Sequence, residues 1–349
     1  MSHAEIVSRR LWSDWFFERV PLPPALFGVL LSIALLGLLV LLAFATNAFD
    51  RLAAEGLAWW QDRDGRVSVL VSLLAGAIPV ALRYHELDTR RNLEALAAAN
   101  LWPGAPPDAL RSATAGRPRT ALWFGLSAFL LIPFMAFTID RDVVRYFQGS
   151  HWNLGVTWTW VVGFAVTFMS GVLVYRAFVD ARKFAQLARS LPAVDLLDRE
   201  ALLPFARQGL RSAVPGMIFM TFLALNLGDA GFVLAMALTG SIVLVQNVAV
   251  LILPMRGVHE RLRSAKRAEL ARVNAAIRGE PGALRGSPLG SRSEPSLADL
   301  LAWRAFVADV PEWPIDLATL GRFAAYVGVP LLGWVGAAIV QHVLESALS

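Results

Sequence analysis

Two His-Glu pairs, His85-Glu86 and His259-Glu260, carry the side chains best suited to chemistry in this chain. Two imidazoles and two carboxylates form a donor set that fits Zn²⁺ or Mn²⁺. Each pair follows a long apolar run, so the two share one level of the molecule if those runs cross a membrane. Neither is a His-Glu-x-x-His motif, because Thr89 and Arg263 stand where the second histidine would fall. Solvated or helix-capping histidines at an interface explain the same residues more simply, and no metal is expected. His151 and His342 fall on the opposite side, without evident partners.

Other chemistries are excluded more firmly. The chain has no cysteine, which removes disulfides, Cys-ligated zinc, iron–sulfur clusters and thiol nucleophiles. No Gly-x-Ser-x-Gly, Walker loop or dinucleotide fingerprint is present. The acidic pairs Asp62/Asp64, Asp140/Asp142 and Asp195/Asp198 lie on loops beside arginine, as solvated charges do. No catalytic residue and no cofactor is expected, so the chain is read as a non-enzyme.

The elements that position these residues are apolar helices. Of 349 residues 56% are hydrophobic and 17% charged, against about 25% charged in soluble domains. The run 230–255 carries no charge and passes directly into the basic segment Arg256-Gly-Val-His-Glu-Arg-Leu-Arg-Ser-Ala-Lys-Arg267. As a helix it reaches about 39 Å, more than the roughly 30 Å hydrocarbon core of a bilayer. Seven spans are expected, at 26–49, 67–82, 120–139, 154–175, 213–227, 230–255 and 323–344: three hairpins and a C-terminal helix. Spans 67–82 and 213–227 are short. The odd members of the hairpins start about 93 residues apart, a spacing that suggests a repeat with little residue-level support.

Lysine and arginine orient this all-α bundle. The N-terminal segment and the even loops hold 27 of them, and the odd loops with the C-terminus hold 5. The positive-inside rule then puts the N-terminus inside and the C-terminus outside. The excess of +5 follows from that clustering and needs no nucleic acid. Residues 1–25 read as an interfacial segment rather than a cleavable leader, with Trp12, Trp15, Phe16 and Phe17 at headgroup depth.

Within the spans the polar residues are few. None of the apolar cores holds Asp, Glu, Lys, Arg or His, which argues against proton-coupled transport and voltage sensing. Gln246 and Asn247 form the most polar intramembrane pair. They serve either as interhelical glue or as the lining of a transport or channel path. Small residues at four-residue spacing, Ser68, Ser72, Gly76 and again Thr159, Gly163, Thr167, Gly171, mark faces where helices approach closely. Beyond the sixth span, Arg261, Arg263, Lys266 and Arg267 are candidates for anionic headgroups. Residues 256–322 are expected to be a cytoplasmic basic helix with a Gly/Ser/Pro tether at 279–296. Val258, Leu262, Ala265, Val273 and Ala276 form a narrow apolar seam on that helix, interrupted by Glu269. Ser296-Leu-Ala-Asp299 is a capping-box pattern that restarts a helix.

The segment from Leu253-Pro-Met-Arg-Gly-Val-His259 through Trp313-Pro-Ile-Asp316 to Pro330-Leu-Leu-Gly-Trp334 resembles uncharacterised prokaryotic multi-pass membrane proteins. The likeness covers roughly residues 250–345 and implies a cytoplasmic helical segment before a last span. It implies no activity. Together these readings give a prokaryotic inner-membrane protein whose partners are the bilayer and either anionic lipid or a cytoplasmic protein. A transporter or channel is the alternative, and a membrane-embedded enzyme the third reading.

Overall fold

The computed structural model describes residues 20–54, 62–99, 120–127, 154–191, 194–198, 200–224, 230–291 and 295–313, with a few isolated positions besides. Every regular element among them is helical. Four helices in that set are long and apolar enough to cross a membrane: Pro24–Ala45, Asp64–Ala98, Leu154–Arg189 and Gly240–Ile277. Of the expected third span only 120–127 and 130 are described, as helix; the seventh, 323–344, lies almost wholly outside the described residues.

Helix α1, Pro24–Ala45, starts with proline in its first turn, where a missing N–H costs nothing. It stops four residues short of the expected end. The Thr46 hydroxyl donates to the Leu42 carbonyl at 2.8 Å, and Asn47 takes φ 52°, a left-handed conformation that asparagine tolerates. A short helix α2, Ala48–Ala54, follows. Helix α3, Arg63–Ala98, takes in Asp64 of the acidic pair expected on a loop: the Asp62 carboxylate caps it by accepting the Gly65 N–H at 2.8 Å. Its 36 residues make it about 54 Å long, so the short span 67–82 is only part of a much longer helix.

Helix α4, Leu154–Arg189, begins where the sequence places it and continues well past 175. A 3-10 turn, Glu200–Leu202, leads into α5, Leu203–Ala224, which holds Pro215 and contains most of the other short span. Helix α6, Ala230–Ile277, runs unbroken through Pro254 for 48 residues, about 72 Å. The capping box forms as read: the Ser296 hydroxyl accepts the Asp299 N–H at 3.2 Å, and the Asp299 carboxylate accepts the Ser296 N–H at 3.1 Å. It opens α7, Leu297–Asp309.

Helices α3 and α4 bring their C-terminal ends together against the middle of α6 and the start of α5. Leu93, Leu96, Phe184, Leu187, Phe205, Val258, Leu262 and Val307 pack there into the largest core of the described residues. Phe184 and Phe205 meet edge to face at 6.0 Å. This core lies beyond the apolar runs. Higher up, Val71, Leu74 and Ile78 pack on Val166, while Leu41, Val161 and Val245 point outward and exposed. An apolar exterior over a thinner core is what a bilayer permits, since lipid solvates those side chains.

The stretch expected as a tether folds back on α6. Gly279, Gly282 and Gly286 take positive φ, and residues 278–291 form successive tight turns. Leu289 is buried with Val273 and Leu300, which anchors the turns between α6 and α7. Glycine and serine there supply turn geometry rather than freedom.

Candidate functional site

The structure gathers buried polar side chains into a layer just beyond the apolar part of the spans. His85, Thr89 and Asn92 stand at four- and three-residue spacing on α3, so they share one face. Asp180 reaches them from α4, and Gln208 and Ser212 from α5. His85 Nε2 lies 3.1 Å from Asp180 Oδ2, both side chains being at most 10% exposed. Gln208 is satisfied on both ends. Its Oε1 accepts Asn92 Nδ2–H at 2.8 Å, while its Nε2–H₂ donates to Thr89 Oγ1 at 2.9 Å and Ser212 Oγ at 3.1 Å. A buried amide placed so fixes the mutual register of α3 and α5, because every alternative leaves donors unmet.

Cations flank Asp180 on its own helix. Lys183 sits about 12 Å along α4 beyond the apolar span. It is held below the ordinary lysine value, chiefly because burial strips its ammonium of water; Asp180 opposes the shift and Arg176 adds to it. The two His-Glu pairs of the sequence do not converge. His85 belongs to Asp180, whereas His259 Nδ1 lies 3.0 Å from the Glu312 carbonyl oxygen and its ring stacks on Trp313 at 4.3 Å. Glu260 pairs with Arg256 at 3.2 Å and Arg189 at 3.6 Å. Among the described residues no three His, Asp or Glu assemble as a metal site would need.

The first small-residue stripe is divided between two neighbours. Ser68 donates to the Gly155 carbonyl at 3.0 Å and Ser72 accepts Trp158 Nε1–H at 2.9 Å, both from α4. Gly76 faces α1 instead, where a Cβ would overlap the Gly28 carbonyl. Four-residue steps advance about 40° each, so a stripe drifts across neighbours over two turns. In the second stripe Gly171 is buried and the Thr167 hydroxyl bonds its own helix at the Gly163 carbonyl, 2.6 Å away. A Cβ at Gly163 would find Val71 at an ordinary 3.7 Å. Gly155 marks the tighter approach, with Asp64 Cβ at 2.8 Å from the corresponding position.

Asn247 is buried and fills the space beside Gly216 of α5, where any Cβ would collide with its amide. Gln246 is only half-buried, as the 100° step between neighbours requires. Gly216, Ser212 and Gln208 follow one another at four-residue spacing, so Asn247 continues the polar layer upward along one face of α5.

Two of the four basic candidates are committed to helix ends. Arg261 Nε–H donates to the Arg189 carbonyl at 3.0 Å, at the end of α4. Lys266 Nζ donates to the Ala308 and Val310 carbonyls at 2.7 and 2.8 Å, at the end of α7. Cations there satisfy orphan carbonyls and the negative dipole end. Arg263 lies 3.7 Å from the Glu312 carboxylate, and Arg267 is exposed. Glu269, which interrupts the apolar seam, is buried and accepts from Trp303 Nε1–H at 2.9 Å, from Arg272 at 3.0 Å and from the Ser287 hydroxyl. It ties α6 to α7 and to the turns between them.

Four membrane-length helices over a polar layer and a packed, helical foot define an all-α membrane protein with a folded juxtamembrane domain. No family model matches the chain, and neither a curated protein nor a solved structure does.

Proposed function

We propose that this chain is a seven-span, non-catalytic protein of a prokaryotic inner membrane that holds a rigid domain against the cytoplasmic surface. Its basic face there engages anionic lipid or a cytoplasmic protein. One observation carries the reading: the largest hydrophobic core among the described residues lies outside the apolar runs, where α3, α4, α5, α6 and α7 pack together. A transport fold needs no such foot, whereas a docking platform depends on its rigidity. The mutual pairing of His85 with Asp180 and of Gln208 with Asn92 also supports a structural use of the buried polar groups. The resemblance of residues 250–345 to prokaryotic membrane proteins agrees with the location.

Two measurements test it. Reporters fused after residue 349 and within 140–153 should read outside, and those within 279–296 inside. A cytoplasmic reading for the C-terminus would remove a span from the seven. For the surface, proteoliposomes of zwitterionic lipid with the basic face outward should recruit anionic vesicles, and salt should weaken the recruitment. Substituting Arg263→Gln and Arg267→Gln together should weaken it about 30-fold, from about 1 kcal/mol per charge near a lipid surface. Equal recruitment of zwitterionic and anionic vesicles would overturn the lipid reading and leave a protein partner.

A further inference from the structure

A cavity of about 590 Å³ opens between α1, α3 and α5. That is within the roughly 300–1,000 Å³ of ligand sites. Its walls are almost wholly apolar, from Val29, Ile33 and Leu36 on α1 and Leu73, Ala77 and Val80 on α3. Gly28, Ser32 and Gly76 also line it, at the crossing where α1 and α3 approach backbone to backbone. Apart from Ser32, whose hydroxyl is turned to the Leu73 carbonyl, the polar groups gather at one end, where Tyr84, His85, Asp88 and Arg211 lie.

Three features specify what fits. The first is length. From Asp88 to Leu73 along α3 is about 22 Å, and from Ala25 to Leu36 along α1 about 16 Å. One leaflet of a bilayer core is about 15 Å deep. The cavity therefore runs from the polar boundary to the membrane midplane and ends there, as an acyl chain of a single leaflet does. The second is charge at the polar end. Arg211 binds Asp88, and Arg91 stands 3.8 Å from the same carboxylate. His85 pairs with Asp180, so at this end two guanidiniums, Arg211 and Arg91, share the single carboxylate of Asp88. The third is access. Arg211 is 44% exposed, and one bond to Asp88 leaves other N–H groups of its fork for a phosphate oxygen.

The geometry points to a binding site for one anionic phospholipid of the inner leaflet, with an acyl chain in the α1–α3–α5 cavity and its phosphate at Arg211. Asp88 then holds the Arg211 side chain in place beneath the headgroup. The site rests on the orientation proposed above, but it is separate from the basic face of α6.

Native mass spectrometry of the full chain in detergent tests it, with dioleoyl phosphatidylglycerol and dioleoyl phosphatidylcholine as probes. One phosphatidylglycerol should stay bound at collision energies that strip phosphatidylcholine. Arg211→Gln should lower its retention about tenfold, the loss of one charge-assisted contact. Arg211→Lys should keep part of it. Ile33→Trp, which fills the cavity from α1, should lower retention of both lipids, and thermal melting in lipid-free detergent reports whether each variant is folded. Arg263→Gln with Arg267→Gln should leave the single bound lipid unchanged; a loss in that variant alone would assign the lipid to the basic face and overturn the cavity site. Excess inorganic phosphate should not displace the lipid, and displacement would show that the headgroup alone is recognised. Equal retention of the two lipids, or retention untouched by both Arg211→Gln and Ile33→Trp, overturns the proposal.

Discussion

Placing leucine at Gly257 is expected to destabilise the protein by about 3 kcal/mol, the upper end of overpacking costs, and to lower folded yield sharply. A Cβ there would stand 2.7 Å from the Ala185 carbonyl oxygen and 2.8 Å from the Ala188 Cβ, both on α4. The obstacle is another helix's backbone, which has no rotamer by which to withdraw. Helices α4 and α6 would have to separate just where Val258 and Phe184 begin the main core. The companion change Gly163→Leu provides the scale. Its Cβ would make only ordinary contacts, at 3.7 Å to Val71, so a cost below about 1 kcal/mol is expected. Thermal melting of both variants in detergent is the measurement. Equal losses would mean that backbone proximity is not what Gly257 provides.

Loss of Asp180 should be comparable. Asp180→Leu strands His85, whose side chain is 1% exposed, and leaves Lys183 without the carboxylate that opposes its desolvation. Removing one partner of a buried hydrogen-bonded pair costs about 1–3 kcal/mol, because the survivor is left buried and unsatisfied. The double change His85→Leu with Asp180→Leu should recover much of that loss. A double-mutant cycle on unfolding free energies is therefore expected to give a coupling of about 1–3 kcal/mol. A coupling near zero would show that the two side chains are neighbours without depending on each other.

How far the sequence leads can be seen residue by residue. The start of α4 at Leu154 and the cap of α7 at Ser296 were legible because both are set by local patterns, an apolar run and a serine–aspartate box. The length of α3 was not. Hydropathy marks where lipid ends, and nothing in it marks where a helix ends once protein packing takes over from lipid. Asn47 was a missed stop, since one left-handed residue decides the end of α1. In the site, the sequence reading names no partner for His85, and the structure gives it Asp180. His85 and Asp180 are 95 residues apart, and two helices can share a depth while facing different neighbours. A signal did exist: Asp180 falls three residues after Ala177 and four before Phe184, within the apolar stripe of α4, so its carboxylate had to point inward. Glu269 announces itself in the same way, as the one charge on the seam of α6. Gln208 and Ser212 carried no such signal, because polar residues spaced by four beside Arg207 and Arg211 read equally well as a solvated face.

The unbroken course of α6 has a mechanical consequence. A single rod of about 72 Å links the buried amide of Asn247 to the turns that hold Glu269 and Ser287, with Pro254 weakening only one hydrogen bond between them. From Arg256 to Ile277 the rod projects about 32 Å beyond the apolar run, and a tilt of about 10° within the bilayer sweeps its far end by about 6 Å. Arg261 and Lys266 grip the ends of α4 and α7 along that projection. Movement of the membrane part therefore reaches the foot as a displacement of whole helices. The two arms about Pro254 are nearly equal, about 36 Å on the lipid side and about 34 Å on the aqueous side, so a tilt in one is matched in the other.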